Sequence, residues 1–361
     1  MPPNPKILKK ILVRLSIFAA SLIVILILLE FILRLFLPAY DPRGIIEFKY
    51  YPEDDVLLCL KNSSGRLWKN TGDYNVAVRI NRYGFRDEKD LLSSTNNDIF
   101  VLGDSMSLGW GVEEDRRFSD LLQAIVGIPV YNISAPAGDL DMYEKLLSYA
   151  QKKGARIRNI ILAICMENDL QDYATAARNF SKVSRPAEEK KRFPRVNIFH
   201  YGFRKLIFWL ARNSATYHAC ACLVHQNDFL CRMAIKGGWI RSNYDGMHKN
   251  LYSEIVITAT LKRLLYLTRA FNALLVIIPS RGLWVGNNFA VERKVHERFT
   301  SLLRESGLDI VDLRDDFEKM APPLQHYFKN DGHLNEKGHL AAATALAEFF
   351  REQKKSLTNF N

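Results

Sequence analysis

Beyond residue 97 the chain carries the short apolar runs "NDIFVL", "IPVYNIS", "NIILAIC", "ALLVIIP" and "LDIVDL". Each is bounded by turn-forming residues, and amphipathic stretches separate most of them. That alternation predicts an α/β domain: a parallel, doubly wound sheet with helices on both faces. The span 172–250 breaks the rhythm with helical and irregular material, including "FRKLIFWLARNSATYHACACLVH". It is too long for an ordinary connection and reads as a cap-like insertion.

A different pattern occupies the N-terminus. After Lys6, Lys9, Lys10 and Arg14, the sequence is apolar from about Ile11 to Leu37, longer than the ~20 residues that cross a bilayer as a helix. Glu30 and Arg34, four apart, can pair on one helix face near the headgroups. No small-residue cleavage pattern follows, so an uncleaved single-pass anchor is expected rather than a removed signal peptide. Basic residues precede the span, whereas Glu53, Asp54 and Asp55 follow it. This asymmetry places the N-terminus in the cytoplasm and the rest on the extracytoplasmic, periplasmic side of a cell membrane. The expected organisation is a tail and anchor over 1–38, a linker and N-terminal extension over 39–96, the main domain over 97–352 and a tail over 353–361.

With 361 residues and 48% hydrophobic content, the chain can bury a sizeable core. Its formal charge of +11 is scattered apart from the N-terminus and the region of "EEKKRFPRVNIFHYGFRK". No nucleic-acid motif accompanies it, so no nucleic-acid partner is expected and the "EEKKR" run reads as a solvated face. The five cysteines include Cys165 inside an apolar run, where a buried free thiol is ordinary. In "HACACLVH", His218, Cys222 and His225 share a helix face, but a disulfide from Cys231 to Cys220 or Cys222, or plain helix packing, is favoured over a metal. No metal or other cofactor is expected.

In an open α/β sheet, ligand chemistry gathers beyond the carboxyl ends of the strands. The first run is followed by Gly103-Asp104-Ser105, the second by "SAPAGDLD" with Gly138, and the third by "MENDLQD" with Asn168 and Asp169. After the fifth, and a helix-like segment, comes "FKNDGHLNEKGH" with Asp331 and His333. A serine, possible oxyanion donors and an Asp/His pair are the inventory of nucleophilic acyl transfer.

These blocks, in this order, resemble the SGNH (GDSL-type) hydrolases. The likeness is nearest to their membrane-anchored bacterial members, in which an asparagine-glycine-arginine motif like "RINRYGFRD" follows the anchor. The resemblance implies a three-layer αβα sandwich with a parallel, flavodoxin-like five-stranded sheet. Ser105 would be the nucleophile, His333 its base, and Asp331 the residue that orients the imidazole. The N–H of Ser105, an N–H from the Gly138 loop and the amide of Asn168 would form the oxyanion hole. The implied activity is that of a serine esterase on an acylated small molecule, lipid or envelope glycan. An O-acyltransferase or a silent binding protein on the same scaffold are the alternatives.

Three departures stand out. Met166 occupies a position where the family usually has glycine. Gly138 lies one place late, so Ala137 is the alternative donor. Asp331 and His333 are separated by one residue, with Asn330 at the commoner spacing. Among neighbours, Asn335 reads as a helix N-cap, His339 as an exposed or packing residue, Trp110 as packing or pocket wall, and Glu167 and Asp169 as pocket-shaping or strand-end polar residues.

Overall fold

The computed structural model describes residues 5–136, 138–171, 173, 198–242 and 254–358. Ala137, the "EEKKR" run and much of the expected insertion lie outside the described residues. By their contacts the described residues fall into two compact units.

The larger unit comprises Ile46–Leu67, Asp73–Lys190 and Gly238–Asn361. It begins with strands β1 (Phe48–Tyr51), β2 (Val56–Cys59), β3 (Ser64–Trp68) and β4 (Asn75–Arg79), arranged as β1 with β2 and β3 with β4. Ile46, Cys59, Leu67, Val76, Val78 and Ile80 form a small core among them. None of these strands is foreseen by the sequence reading, which treats this stretch as linker and extension.

The main sheet holds β5 (Ile99–Leu102), β6 (Val130–Asn132), β7 (Asn159–Cys165), β8 (Asn272–Ile278) and β9 (Asp309–Asp312), one for each apolar run. Their order is β6-β5-β7-β8-β9 with every neighbour parallel. This is the flavodoxin-like 2-1-3-4-5 order. A strand sends successive side chains to opposite faces. Along β7, Ile160, Leu162 and Ile164 accordingly enter one apolar cluster, and Ile161, Ala163 and Cys165 the other. Because both faces are covered, the strand is apolar at nearly every position.

On one face lie α4 (Leu140–Lys152), α8 (Glu254–Thr268) and α9 (Phe289–Glu305), which contribute Tyr143, Leu146, Leu264 and Phe299 to the core. On the other lie α3 (Phe118–Val126), α10 (Leu313–Lys319) and α11 (Glu336–Thr358), which contribute Phe118, Leu122, Phe317 and Leu346. Full burial of one such side chain contributes about 1.5–3 kcal/mol. The fold is thus a three-layer αβα sandwich, and its strand order reverses between β5 and β7.

The smaller unit comprises Met1–Ile45, Trp68–Gly72 and Lys191–Gly237. Its 32-residue helix α1 (Pro5–Phe36) is long and apolar enough to cross a membrane over Lys9–Phe36. Helices α5 (Ile198–Asn213), α6 (Ala215–Gln226) and α7 (Asp228–Lys236), the described helices of the expected insertion, belong to this unit. Glu30 and Arg34 pair as anticipated, with Arg34 Nε 2.8 Å from Glu30 Oε1.

His218 is buried, its ring nitrogens facing the carbonyls of Tyr40 (3.0 Å) and Lys69 (3.3 Å). The ring of Trp68 lies 4.7 Å away. Cys220, Cys222 and Cys231 are not joined in disulfides, and Cys222 packs against Gly72.

Candidate active site

β5 ends at Leu102, and the chain turns through Gly103 and Asp104 into the short helix α2 (Ser105–Leu108). Asp104 is the N-cap, its Oδ1 accepting from Met106 N–H at 2.8 Å. Ser105 therefore opens a helix whose first N–H groups have no intrahelical acceptor. It also stands at the carboxyl end of β5, where the strand order reverses and ligands of such sheets bind.

The asparagine-glycine-arginine stretch supports this turn from below. Arg86 is fully buried and donates to the carbonyls of Gly109 (2.6 Å) and Val112 (2.8 Å), bracing the loop that carries Trp110. Asn81 Oδ1 accepts from the backbone N–H groups of Tyr83 (2.9 Å) and Phe85 (3.1 Å), fixing the approach to Arg86.

The loop between α10 and α11 brings Asp331 and His333 to Ser105 from the far edge of the sheet. His333 Nε2 lies 2.8 Å from Ser105 Oγ, and His333 Nδ1 pairs with Asp331 Oδ1. The same oxygen accepts the backbone N–H of His333 at 3.0 Å, so the Asp-x-His spacing closes into a tight local turn. Gly332 fits closely in it: a Cβ there would stand 2.6 Å from the Arg281 guanidinium, which would have to shift. Arg281 is held by Glu167, with Nη2 to Oε2 at 2.9 Å. Asn330, at the commoner family spacing, turns elsewhere, its N–H and amide donating to Asp73 at 3.1 and 3.3 Å.

The other oxygen of buried Asp331 has a partner that sequence reading missed. Tyr74 donates its hydroxyl to Asp331 Oδ2 at 3.0 Å and accepts from Trp110 Nε1 at 2.7 Å. Burial, then the Asp331 charge, pushes the Tyr74 phenol far above its usual range, so it remains a donor. The Trp110 indole stacks on His333 at 5.5 Å and on Phe48 at 5.9 Å. Trp110 is thus both packing and pocket wall.

Of the expected oxyanion donors, Asn168 and Gly138 line the same cleft as Ser105 and His333, a space of about 660 Å³. Asn168 Nδ2 donates to Asp104 Oδ2 at 2.7 Å. An amide nitrogen carries two hydrogens, and this bond uses one of them to orient the group. Burial pushes the Asp104 carboxyl up, while its hydrogen bonds from Asn168 and Met106 pull it down. At Gly138 a Cβ would stand 2.8 Å from the Tyr143 ring. The alternative donor, Ala137, is outside the described residues.

Asp169 is fully buried away from the cleft, accepting from Cys165 N–H (2.8 Å) and Tyr143 Oη (3.1 Å). Met166 is buried, its N–H extending the β7–β8 ladder to Ile278 O at 3.0 Å. His339 is buried rather than exposed. It stacks on Phe118, and its Nδ1 accepts from Phe118 N–H at 3.2 Å. Burial pushes its imidazole down to about 3. Asn335 caps α11 as expected, its Oδ1 accepting from Lys337 and Gly338 N–H groups at 2.9 and 3.2 Å.

Residues 278–360, which hold Asp331 and His333, match the family model described as "SGNH hydrolase-like domain, acetyltransferase AlgX". The chain is similar to a member of the lipolytic protein G-D-S-L family from Veillonella parvula, at 12% identity and a TM-score of 0.41, over 70% of this chain and 98% of that one. It is also similar to the C-terminal catalytic domain of peptidoglycan O-acetyltransferase A from Streptococcus pneumoniae, at 12% identity and a TM-score of 0.36, over 72% and 95% of the two chains. A third similar structure is the lipase/acylhydrolase from Enterococcus faecalis, at 8% identity and a TM-score of 0.38, over 71% and 96%. No curated protein sequence matches significantly.

Ser105, Gly138, Asn168 and His333, one from each of the four sequence blocks, thus line one cleft, with Asp331 behind His333. Tyr74, Phe48 and Arg281 join them from stretches with no motif to mark them.

Proposed function

We propose that this protein is a membrane-anchored enzyme that opens acyl esters through an acyl intermediate on Ser105. The observation that carries the reading is the continuous line Ser105–His333–Asp331 at the rim of the cleft. Ser105 Oγ attacks the ester carbonyl carbon while His333 Nε2 takes its proton, and Asp331 holds the imidazole by Nδ1–H. Negative charge on the carbonyl oxygen is met by the N–H of Ser105, an N–H of the Gly138 loop and the free amide hydrogen of Asn168. Collapse of the adduct breaks the ester C–O bond, and His333 returns the proton to the departing alkoxide. Water, activated by His333, then releases the acid.

The cleft suits an acyl group carried on a sugar. Phe48, Leu57 and Trp110 offer apolar and aromatic surface, with Asn168, Asp139 and Gln171 as polar partners for hydroxyl groups. A second reading keeps the acyl enzyme and replaces water by a glycan hydroxyl. The family description over residues 278–360, an acetyltransferase, favours it. In both readings the enzyme works on the extracytoplasmic side of the membrane, as the charge asymmetry around α1 supports.

The test is labelling of the detergent-solubilised full chain with a fluorophosphonate, followed by peptide mapping. Modification at Ser105 that is lost in His333→Ala supports the acyl-enzyme reading. Labelling elsewhere, or none, removes it. Acetyl release from an activated ester, with and without an added oligosaccharide, then assigns the acceptor.

A further inference from the structure

We propose that helix α5 lies in the membrane interface beside α1, and that lipid acyl chains fill the crevice between the two helices. The inference rests on α1 being a membrane span. It goes beyond the anchor itself by assigning a second membrane-embedded element to the chain.

The polar end of the span fixes the level. From Ile11 to Leu29 α1 rises about 28 Å at 1.5 Å per residue, close to the ~30 Å hydrocarbon thickness of a bilayer. Arg14, near the start, can extend its stem toward the headgroups. Glu30 then marks the opposite boundary, and it is fully engaged there. Its carboxylate accepts from Ser214 Oγ (2.8 Å), Ala215 N–H (2.9 Å), Thr216 N–H (2.9 Å) and Arg34 Nε (2.8 Å). Arg34 also donates to the carbonyl of Asn213. The corner joining α5 to α6 is therefore pinned to α1 at the depth of Glu30, with its polar groups paired as a low-dielectric boundary requires.

From this corner the last turns of α5 face the lipid side of that boundary. Trp209 and Leu210 line a crevice of about 520 Å³ whose opposite wall is Ile23, Leu26 and Ile27 of α1. Those three residues stand one to two turns inside Glu30. Leu206, Trp209 and Leu210 share one helix face by their three- and four-residue spacing. Leu206 is 51% exposed and Trp209 58%. Lys205 and Arg212 occupy a neighbouring face, the Arg212 guanidinium lying 5.4 Å from the Phe208 ring centre. An aromatic-rich apolar face bordered by cations is the build of a helix lying at a lipid surface. The occupant of the crevice follows from continuity: at this depth the α1 wall is already in hydrocarbon, so acyl chains reach it directly.

The experiment uses the full chain in nanodiscs of phosphatidylcholine and phosphatidylglycerol brominated along the acyl chains. Tryptophan emission of the parent should be quenched, and Trp209→Phe should lose most of the quenchable component. Moving the indole one turn back along the same face, in Trp209→Phe/Leu206→Trp, should restore it. An unchanged quenchable fraction in Trp209→Phe overturns the proposal, as does its protection by a co-purifying protein. Alkaline carbonate treatment of native membranes separates the two levels. Release of the parent chain removes the span and this inference together, whereas retention without Trp209 quenching removes this inference alone.

Discussion

The hydroxyl of Tyr74 donates to Asp331 Oδ2 at 3.0 Å across 257 positions of sequence. It joins the N-terminal extension to the loop that carries His333. Asp331 is thus held through both oxygens, one by the His333 side, the other by Tyr74 and, through it, Trp110.

Tyr74→Phe keeps the ring packing against Phe328, 4.9 Å away between centres, and removes only the donor. Loss of one hydrogen bond to a buried charge should lower kcat about tenfold, the rate equivalent of ~1.4 kcal/mol. KM should hardly change. Steady-state kinetics on an activated ester, beside a thermal melt, checks this. Parent-like kcat would show that the Asp331 orientation does not depend on Tyr74.

Ser105→Ala and His333→Ala should each lose on the order of 10⁴-fold in turnover, and the double variant little more, because the members act as one unit. Asn330→Ala should stay within a few-fold of the parent, since its amide is turned to Asp73 rather than the imidazole. The comparison is made on the same ester with matched circular dichroism spectra. Asn330→Ala as damaging as His333→Ala would move the orienting residue to the commoner family spacing.

Asn168→Ala should reduce kcat by roughly 10²-fold with KM nearly constant, the pattern for a donor that matters chiefly in the transition state. Asn168→Asp should be at least as slow, because it places a second carboxyl beside Asp104 and removes the donor. A rise in KM with unchanged kcat would instead make Asn168 a ground-state contact.

His339 sets a pH dependence of stability. Its imidazole is held at about 3 in the fold, against ~6.5 when unfolded. Between those values the unfolded chain binds the additional proton, so stability is complete above pH 6.5 and falls as pH drops toward 3. The slope for one group approaches 1.36 kcal/mol per pH unit, about 2 kcal/mol between pH 6.5 and 5. His339→Asn, with an amide oxygen in place of Nδ1 as acceptor for Phe118 N–H, should flatten that part of the curve. Denaturant unfolding of both forms at pH 7 and pH 5 measures the difference, and parallel losses would assign the slope to other groups.

The five-stranded sheet was legible because each strand is covered on both faces. β7 needs apolar residues on both faces, and "NIILAIC" displays that requirement directly. β1 to β4 were not legible: each is four or five residues long, β1 to β3 show no alternation, and the alternation of β4 spans too few residues to stand out. The same asymmetry runs through the site. Ser105, Asn168 and His333 stand in short blocks between regular elements where a motif can be recognised, whereas Tyr74 reaches its partner through one side chain and leaves no period behind. Gly332 could be read only as a spacer until the Arg281 guanidinium was seen beneath it.

The turn Asp331-Gly332-His333 divides the site into two lengths of unequal stiffness. The distance from acid to base is set within three residues and closed by the His333 N–H, so it survives as long as that turn survives. The distance from base to serine spans 228 positions and is set by how the α10–α11 connection sits on the sheet. Warming should therefore lengthen the second while the first stays intact. Catalysis would then fade some degrees below the melting of the sheet, with the acid–base pair still assembled and only its reach to the nucleophile lost.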